Sequence, residues 1–114
     1  MTGLVDVRAA LAEFTDLEIV IAESGGDVAD IIRRLRGADA GLALLLIDSS
    51  ISAIDRAMLS AAIGQLAIER APQTRIGAIE IAEGAATTDV VAAARFLVSA
   101  RSTTGQILTV TATG

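Results

Sequence analysis

The sequence predicts an α/β fold: about four parallel strands with helices on both faces, in three layers. Three observations carry this. Four short runs, Leu17 to Ala22, Leu42 to Ile47, Arg75 to Ile81 and Gln106 to Thr111, are apolar and rich in Leu or β-branched residues, as strands are. Segments with apolar residues at helical spacing separate them. Those separators are long enough to carry a helix back to the start of a parallel neighbour, and right-handed crossovers are expected to fix the hand of each unit.

The elements follow in order. A helix from about Val5 to Phe14 precedes the first strand. Asp27 to Arg36 sets Val28, Ile31, Ile32 and Leu35 on one face, with Asp27 placed to cap and the arginines near the C-terminal end, where positive charge suits the helix dipole. Asp55 to Ala71 aligns Met58, Leu59, Ala62, Ile63, Leu66 and Ala67, and Pro72 stops it. A last helix, Thr88 to Ser99, is opened by Thr87-Thr88-Asp89. No internal repeat, low-complexity tract or long linker divides the chain, so residues 1–114 read as a single domain.

Composition narrows the classes of function. Hydrophobic residues make up 53% and aromatics 2%, without Trp or Tyr, so the core is built from Ala, Leu, Ile and Val. Mean hydropathy is +0.62. Even so, the longest apolar run, Leu42 to Ile47, is far short of the roughly 18–20 residues of a membrane span. The start, Met1-Thr2-Gly3-Leu4-Val5-Asp6, lacks the basic and apolar regions of a signal peptide, and a cytoplasmic location is expected. The chain has no cysteine for disulfide or thiolate chemistry and no histidine for proton transfer near neutral pH. Its net charge of −5 and lack of a basic, aromatic-interleaved patch argue against a nucleic-acid partner. Asp48 and Glu83 are acids of the kind that hold a hard metal or move a proton, but solvation explains both, and no metal site is expected.

The second half carries a run of local motifs. Leu66-Ala67-Ile68-Glu69-Arg70-Ala71-Pro72 ends the long helix, and Thr74-Arg75-Ile76-Gly77-Ala78-Ile79 forms the next strand. Glu83-Gly84, Phe96-Leu97-Val98-Ser99 and Thr104-Gly105-Gln106-Ile107-Leu108-Thr109-Val110 follow. In order and spacing these resemble the C-terminal half of the short-chain dehydrogenases/reductases, with their "LALELAP", "IRVNAI", Pro-Gly, "FLAS" and "TGQVLTVDGG" segments. The resemblance implies a Rossmann-like half domain, truncated relative to the family. The family's closing Asp-Gly-Gly is replaced by Thr111-Ala112-Thr113.

The family's catalytic tyrosine and lysine positions fall on Ser52 and Arg56. A serine without a base is a much weaker acid than a lysine-tuned phenol, and a guanidinium stays protonated. Catalytic residues are therefore not expected, and the candidates that remain are Ser50, Ser52 and Arg56. Residues 17–48 allow two alignments. In one they are the family's fourth and fifth strands, with Ser50 at the catalytic serine position. In the other they are its first two strands, with Gly25 and Gly26 at the phosphate turn and Asp48 on a ribose. That second alignment lacks the glycine-rich pattern that lets bare backbone approach a pyrophosphate. No cofactor is expected; NAD(P) is expected if the chain is instead an oxidoreductase with atypical site residues.

Three functions remain open. The first is an inactive relative that works by homo-oligomerisation, or by joining a full-length reductase of the same family as a stabilising or regulatory subunit. Its interfaces would be the long helices, or the last helix and strand, where Val90, Val91, Ala92, Ala93 and Ala94 permit close approach. The second is an NAD(P)-dependent oxidoreductase acting on a carbonyl/alcohol pair with atypical residues. The third is a small α/β binding module with its ligand near Glu23, Ser24, Asp48, Ser49 and Glu83.

Overall fold

The computed structural model describes residues 4–112. Thr113 of the closing tail and Met1, Thr2 and Gly3 of the expected start lie outside them. The elements are α1 (Leu4–Ala10), β1 (Leu17–Ala22), α2 (Val28–Arg36), β2 (Leu42–Ile47), α3 (Ala53–Arg70), β3 (Arg75–Ile81), α4 (Thr87–Ser99) and β4 (Gln106–Val110). The strands form one parallel sheet in the order β1-β2-β3-β4. Alternation divides β2 cleanly between two cores. Ala43, Leu45 and Ile47 pack under α2 and α3 with Leu35, Leu59 and Ile63, while Leu42, Leu44 and Leu46 face α1 and α4 with Val7, Val90 and Leu97. Every residue of β2 is buried, which explains its uninterrupted apolar run.

Local chemistry moves some helix boundaries. Asp27 caps α2 as expected, accepting from Ala29 N. α3 begins two residues earlier than its periodicity suggests, because Ser52 Oγ accepts from Asp55 N and serves as the cap. α1 ends at Ala10 instead of Phe14, the chain turning through Leu11 to Glu13 before β1. The Thr87-Thr88-Asp89 cluster supplies no cap, since α4 starts from Ala86 without a side-chain hydrogen bond.

One expectation fails outright. Each strand is added on the same side of the last, yet α2 and α3 cover one face and α4 the other. The β3–α4–β4 crossover therefore has the opposite hand to the two before it, against the expectation of one hand throughout. Burial explains the exception. A uniform hand would place all three crossover helices on one face and leave Leu44, Leu46, Ile79 and Ile81 covered only by the short α1.

The order also separates the two alignments of residues 17–48. In a doubly wound sheet of order 3-2-1-4-5-6, the second strand lies outside the first, away from the later strands. Were β1 and β2 the opening pair, β1 would stand between β2 and β3. Instead β2 does, which matches the fourth and fifth strands.

Gly41, just before β2, is required by packing. Its N–H donates to Asp16 Oδ1 at 2.7 Å, and the same carboxylate lies where a Cβ would project. Gly41→Ala is expected to displace Asp16 and cost about 1–2 kcal/mol, measured by urea unfolding. An unchanged midpoint would show that the carboxylate moves freely.

Candidate functional site

The reversed last crossover shapes the carboxyl edge of the sheet. The loop leaving β2 turns toward α3 on one face and the loop leaving β3 toward α4 on the other, so the two diverge and leave a crevice between them. Open α/β sheets bind ligands in such crevices. One wall is Asp48 to Ser52; the other is Ala82 to Ala86.

On the first wall three predicted residues meet. Ser50 Oγ donates to Asp48 Oδ2 at 2.6 Å, and Ser50 N reaches the same oxygen at 3.2 Å. Ser50 Oγ also accepts from Ser24 N at 3.1 Å, tying the β1–α2 loop to the β2–α3 loop. Asp48 N in turn donates to Ala22 O at 2.9 Å. The Asp48 carboxylate thus orients Ser50 as an acceptor for backbone. Because Ser50 already donates to Asp48, its proton is engaged there.

Ser52 and Arg56 belong to helix geometry. Ser52 Oγ caps α3 through Asp55 N at 3.2 Å. Arg56 folds back so that Nη2 donates to Ile51 O at 3.1 Å and Ser49 O at 3.4 Å, bracing the loop that precedes its own helix. The two are not brought together as a proton-transfer pair.

Gly25 and Gly26 form a tight turn. Gly25 has φ of +87°, which glycine adopts without strain, and Gly26 N closes the turn onto Glu23 O at 3.1 Å. The Asp27 carboxylate occupies the N-terminus of α2, accepting from Ala29 N at 3.3 Å. Two of the backbone donors at this turn, Gly26 N and Ala29 N, are thereby engaged, and a negative charge stands at the helix end that would receive a phosphate. Glu23 and Glu83 are exposed; Gly84, with φ of +82°, turns the second wall.

One polar pair escaped sequence reasoning. Ser60 Oγ of α3 donates to Glu80 Oε1 of β3 at 2.8 Å, and Glu80 is half-buried beneath the helix. Glu80 pairs in register with Ile47 and Thr109, one residue short of the crevice. Its signal was available: it is the acid that interrupts the apolar run Ile76 to Ile81. Among the described residues, no group of three His, Cys, Asp or Glu is placed to hold a metal ion, and no helix is long and apolar enough to cross a membrane.

No curated protein matches the chain. A family profile described as short chain dehydrogenase-like protein matches residues 22–110, from the end of β1 to the end of β4. That match spans more than three quarters of the sequence and agrees with the strand order and the motifs of its second half. The chain belongs to the short-chain dehydrogenase-like family.

Proposed function

We propose that this protein is a non-catalytic member of its family that acts by association, and that it associates with a second copy of itself through α3. The observation that carries the proposal is the outer face of that helix. Ile54, Met58, Ala61, Gln65 and Ile68 recur at alternating steps of four and three residues, the spacing of a coiled-coil seam. Ile54 is 74% exposed, Met58 50% and Ile68 76%. Isoleucines so exposed on one stripe form a patch that water disfavours, unlike isolated surface apolar residues.

The stripe is also nearly palindromic. A twofold axis through Ala61 would set two copies of α3 antiparallel, with Ile54 opposite Ile68 of the second copy and Met58 opposite its Gly64. Ala57 would face Gln65 of the second copy. A symmetric dimer demands this self-complementarity, because each surface must match itself. Ala57, Ala61 and Gly64 let the backbones approach, and a Cβ on Gly64 would meet nothing within the molecule. The stripe on α4 is less suited, since Val90 and Ala94 are buried against the sheet.

The non-catalytic half of the proposal rests on the occupied groups of the carboxyl edge. Ser52 caps a helix, Arg56 braces carbonyls, Ser50 directs its proton to Asp48, and Asp27 holds the α2 N-terminus. Light scattering on the purified chain is expected to give the mass of two copies. A chain that remains one copy when concentrated, or that assembles only with a full-length reductase, sinks the self-association reading. Titration with NADH and NADPH, followed by nicotinamide fluorescence, is expected to show no saturable change. Saturable binding would favour the oxidoreductase reading instead.

A further inference from the structure

The amino edge of the sheet, opposite the crevice, holds a cavity of about 420 Å³. Leu17, Leu42 and Arg75, the first residues of β1, β2 and β3, contribute to its lining. A smaller cavity of about 170 Å³ adjoins, and Arg75 and Arg101 line both. The larger volume lies in the range that small-molecule sites occupy.

The polar groups of the lining differ in what they are free to do. Arg75 is committed, its Nη1 donating to Leu97 O and Ala100 O and its Nη2 to Val98 O. Asp16 uses Oδ1 for Gly41 N, and Glu13 meets Arg95 at 3.3 Å through one oxygen. Arg101 stands apart. Of the nine basic residues, all arginines, the other eight make a hydrogen bond or an ion pair, but the Arg101 guanidinium makes none among the described residues. The turn that carries it is fixed by Arg101 N on Ser99 O and Thr103 N on Ala100 O, both at 2.9 Å.

A free guanidinium fork suits a carboxylate, which it binds through two parallel hydrogen bonds. A simple anion would also meet the carboxylates of Glu13 and Asp16 in the same lining and be repelled. A molecule bearing both signs satisfies both. The remaining wall, Phe14, Leu17, Leu42 and Val98, is apolar and suits a hydrocarbon or aromatic group. We propose that the amino-edge cavity binds a small zwitterion with an apolar side chain, a free α-amino acid of the leucine or phenylalanine kind. Its carboxylate sits on Arg101 and its ammonium toward Asp16 and Glu13.

Calorimetric titration of the full chain with leucine and with phenylalanine tests this, alongside leucinamide, which lacks the carboxylate, and N-acetylleucine, which lacks the ammonium. Saturable binding of at least one free amino acid is expected, about tenfold weaker for leucinamide and for the Arg101→Gln variant. Leucinamide should lose nothing further on Arg101→Gln, because the carboxylate and the guanidinium are one interaction. Glu13→Gln should weaken the amino acid but not its N-acetyl form. Arg101 is exposed and unpaired, so a thermal unfolding curve matching wild type is expected for Arg101→Gln. Absence of saturable binding by either amino acid, or equal affinity in Arg101→Gln, overturns the proposal. N-acetylleucine binding as tightly as leucine overturns the zwitterion assignment. The outcome does not depend on whether the chain dimerises.

Discussion

Replacing Arg75 by Ala is expected to destabilise the protein by about 2–4 kcal/mol, a large share of the roughly 5–15 kcal/mol typical of a domain this size. The guanidinium lies at the start of β3 and donates to three carbonyls at the C-terminal end of α4, those of Leu97, Val98 and Ala100, at 2.8–3.1 Å. The last carbonyls of a helix lack partners within it and carry the negative end of its dipole, so a half-buried cation there satisfies both needs at once. α4 is also the crossover of opposite hand, and its apolar face covers Ile79 and Ile81. Removing Arg75 leaves that helix held by side-chain packing and the exposed Arg95–Glu13 pair, and takes the guanidinium from the Leu97 and Val98 carbonyls. The melting temperature should fall by about 10 °C when compared at equal protein concentration, the condition an associating protein requires. Arg75→Lys should recover only part of the loss, since one ammonium cannot span all three acceptors in the same geometry. A loss below about 1 kcal/mol for Arg75→Ala would mean that water replaces the guanidinium at little cost.

The Arg75 clamp illustrates what the sequence made legible and what it did not. The bounds of β1, β2 and β3 follow directly from apolar runs, most plainly in β2, where burial on both faces leaves no polar phase. The Asp27 cap was readable for the same local reason, an acid directly before an amphipathic run. By contrast, an arginine opening a strand carries no mark of the helix end it binds, which begins 22 residues later in the chain. The reversed crossover was hidden because it depends on which face the earlier helices had already covered. At the carboxyl edge, Asp48 and Ser50 were visible as polar breaks after an apolar strand. The bond from Ser24 N to Ser50 Oγ joins two loops 26 residues apart and has no local signature. The amino-edge cavity is a stronger case, since Asp16, Gly41 and Arg101 come from three separate connections and Arg75 from a strand. The outer face of α3 lay in plain view, yet its period of alternating fours and threes was eclipsed by the buried stripe of Leu59, Ile63 and Leu66 on the same helix.

That outer face yields the second large effect: the double variant Ile54→Glu, Ile68→Glu is expected to convert the dimer to single copies while leaving the fold intact. In the antiparallel pair each substitution occurs twice, so four carboxylates enter the seam, each opposite another at the position where two isoleucines met. Burying an unpaired carboxylate costs several kcal/mol, and like charges facing one another add to it, so association should weaken by at least about 100-fold. Within one chain the same changes are mild. Both positions are mostly exposed, and Glu is a somewhat better helix former than Ile, so stability of the single chain should change by no more than about 0.5 kcal/mol. Light scattering with circular dichroism reads both quantities on one sample. Phe96→Glu supplies the contrast, because Phe96 is the large exposed hydrophobic residue on α4, at 56%, and lies off the α3 seam. It should leave the mass unchanged. If Phe96→Glu separates the copies and the α3 variant does not, the association surface belongs to the last helix, and the palindrome about Ala61 has no bearing on assembly.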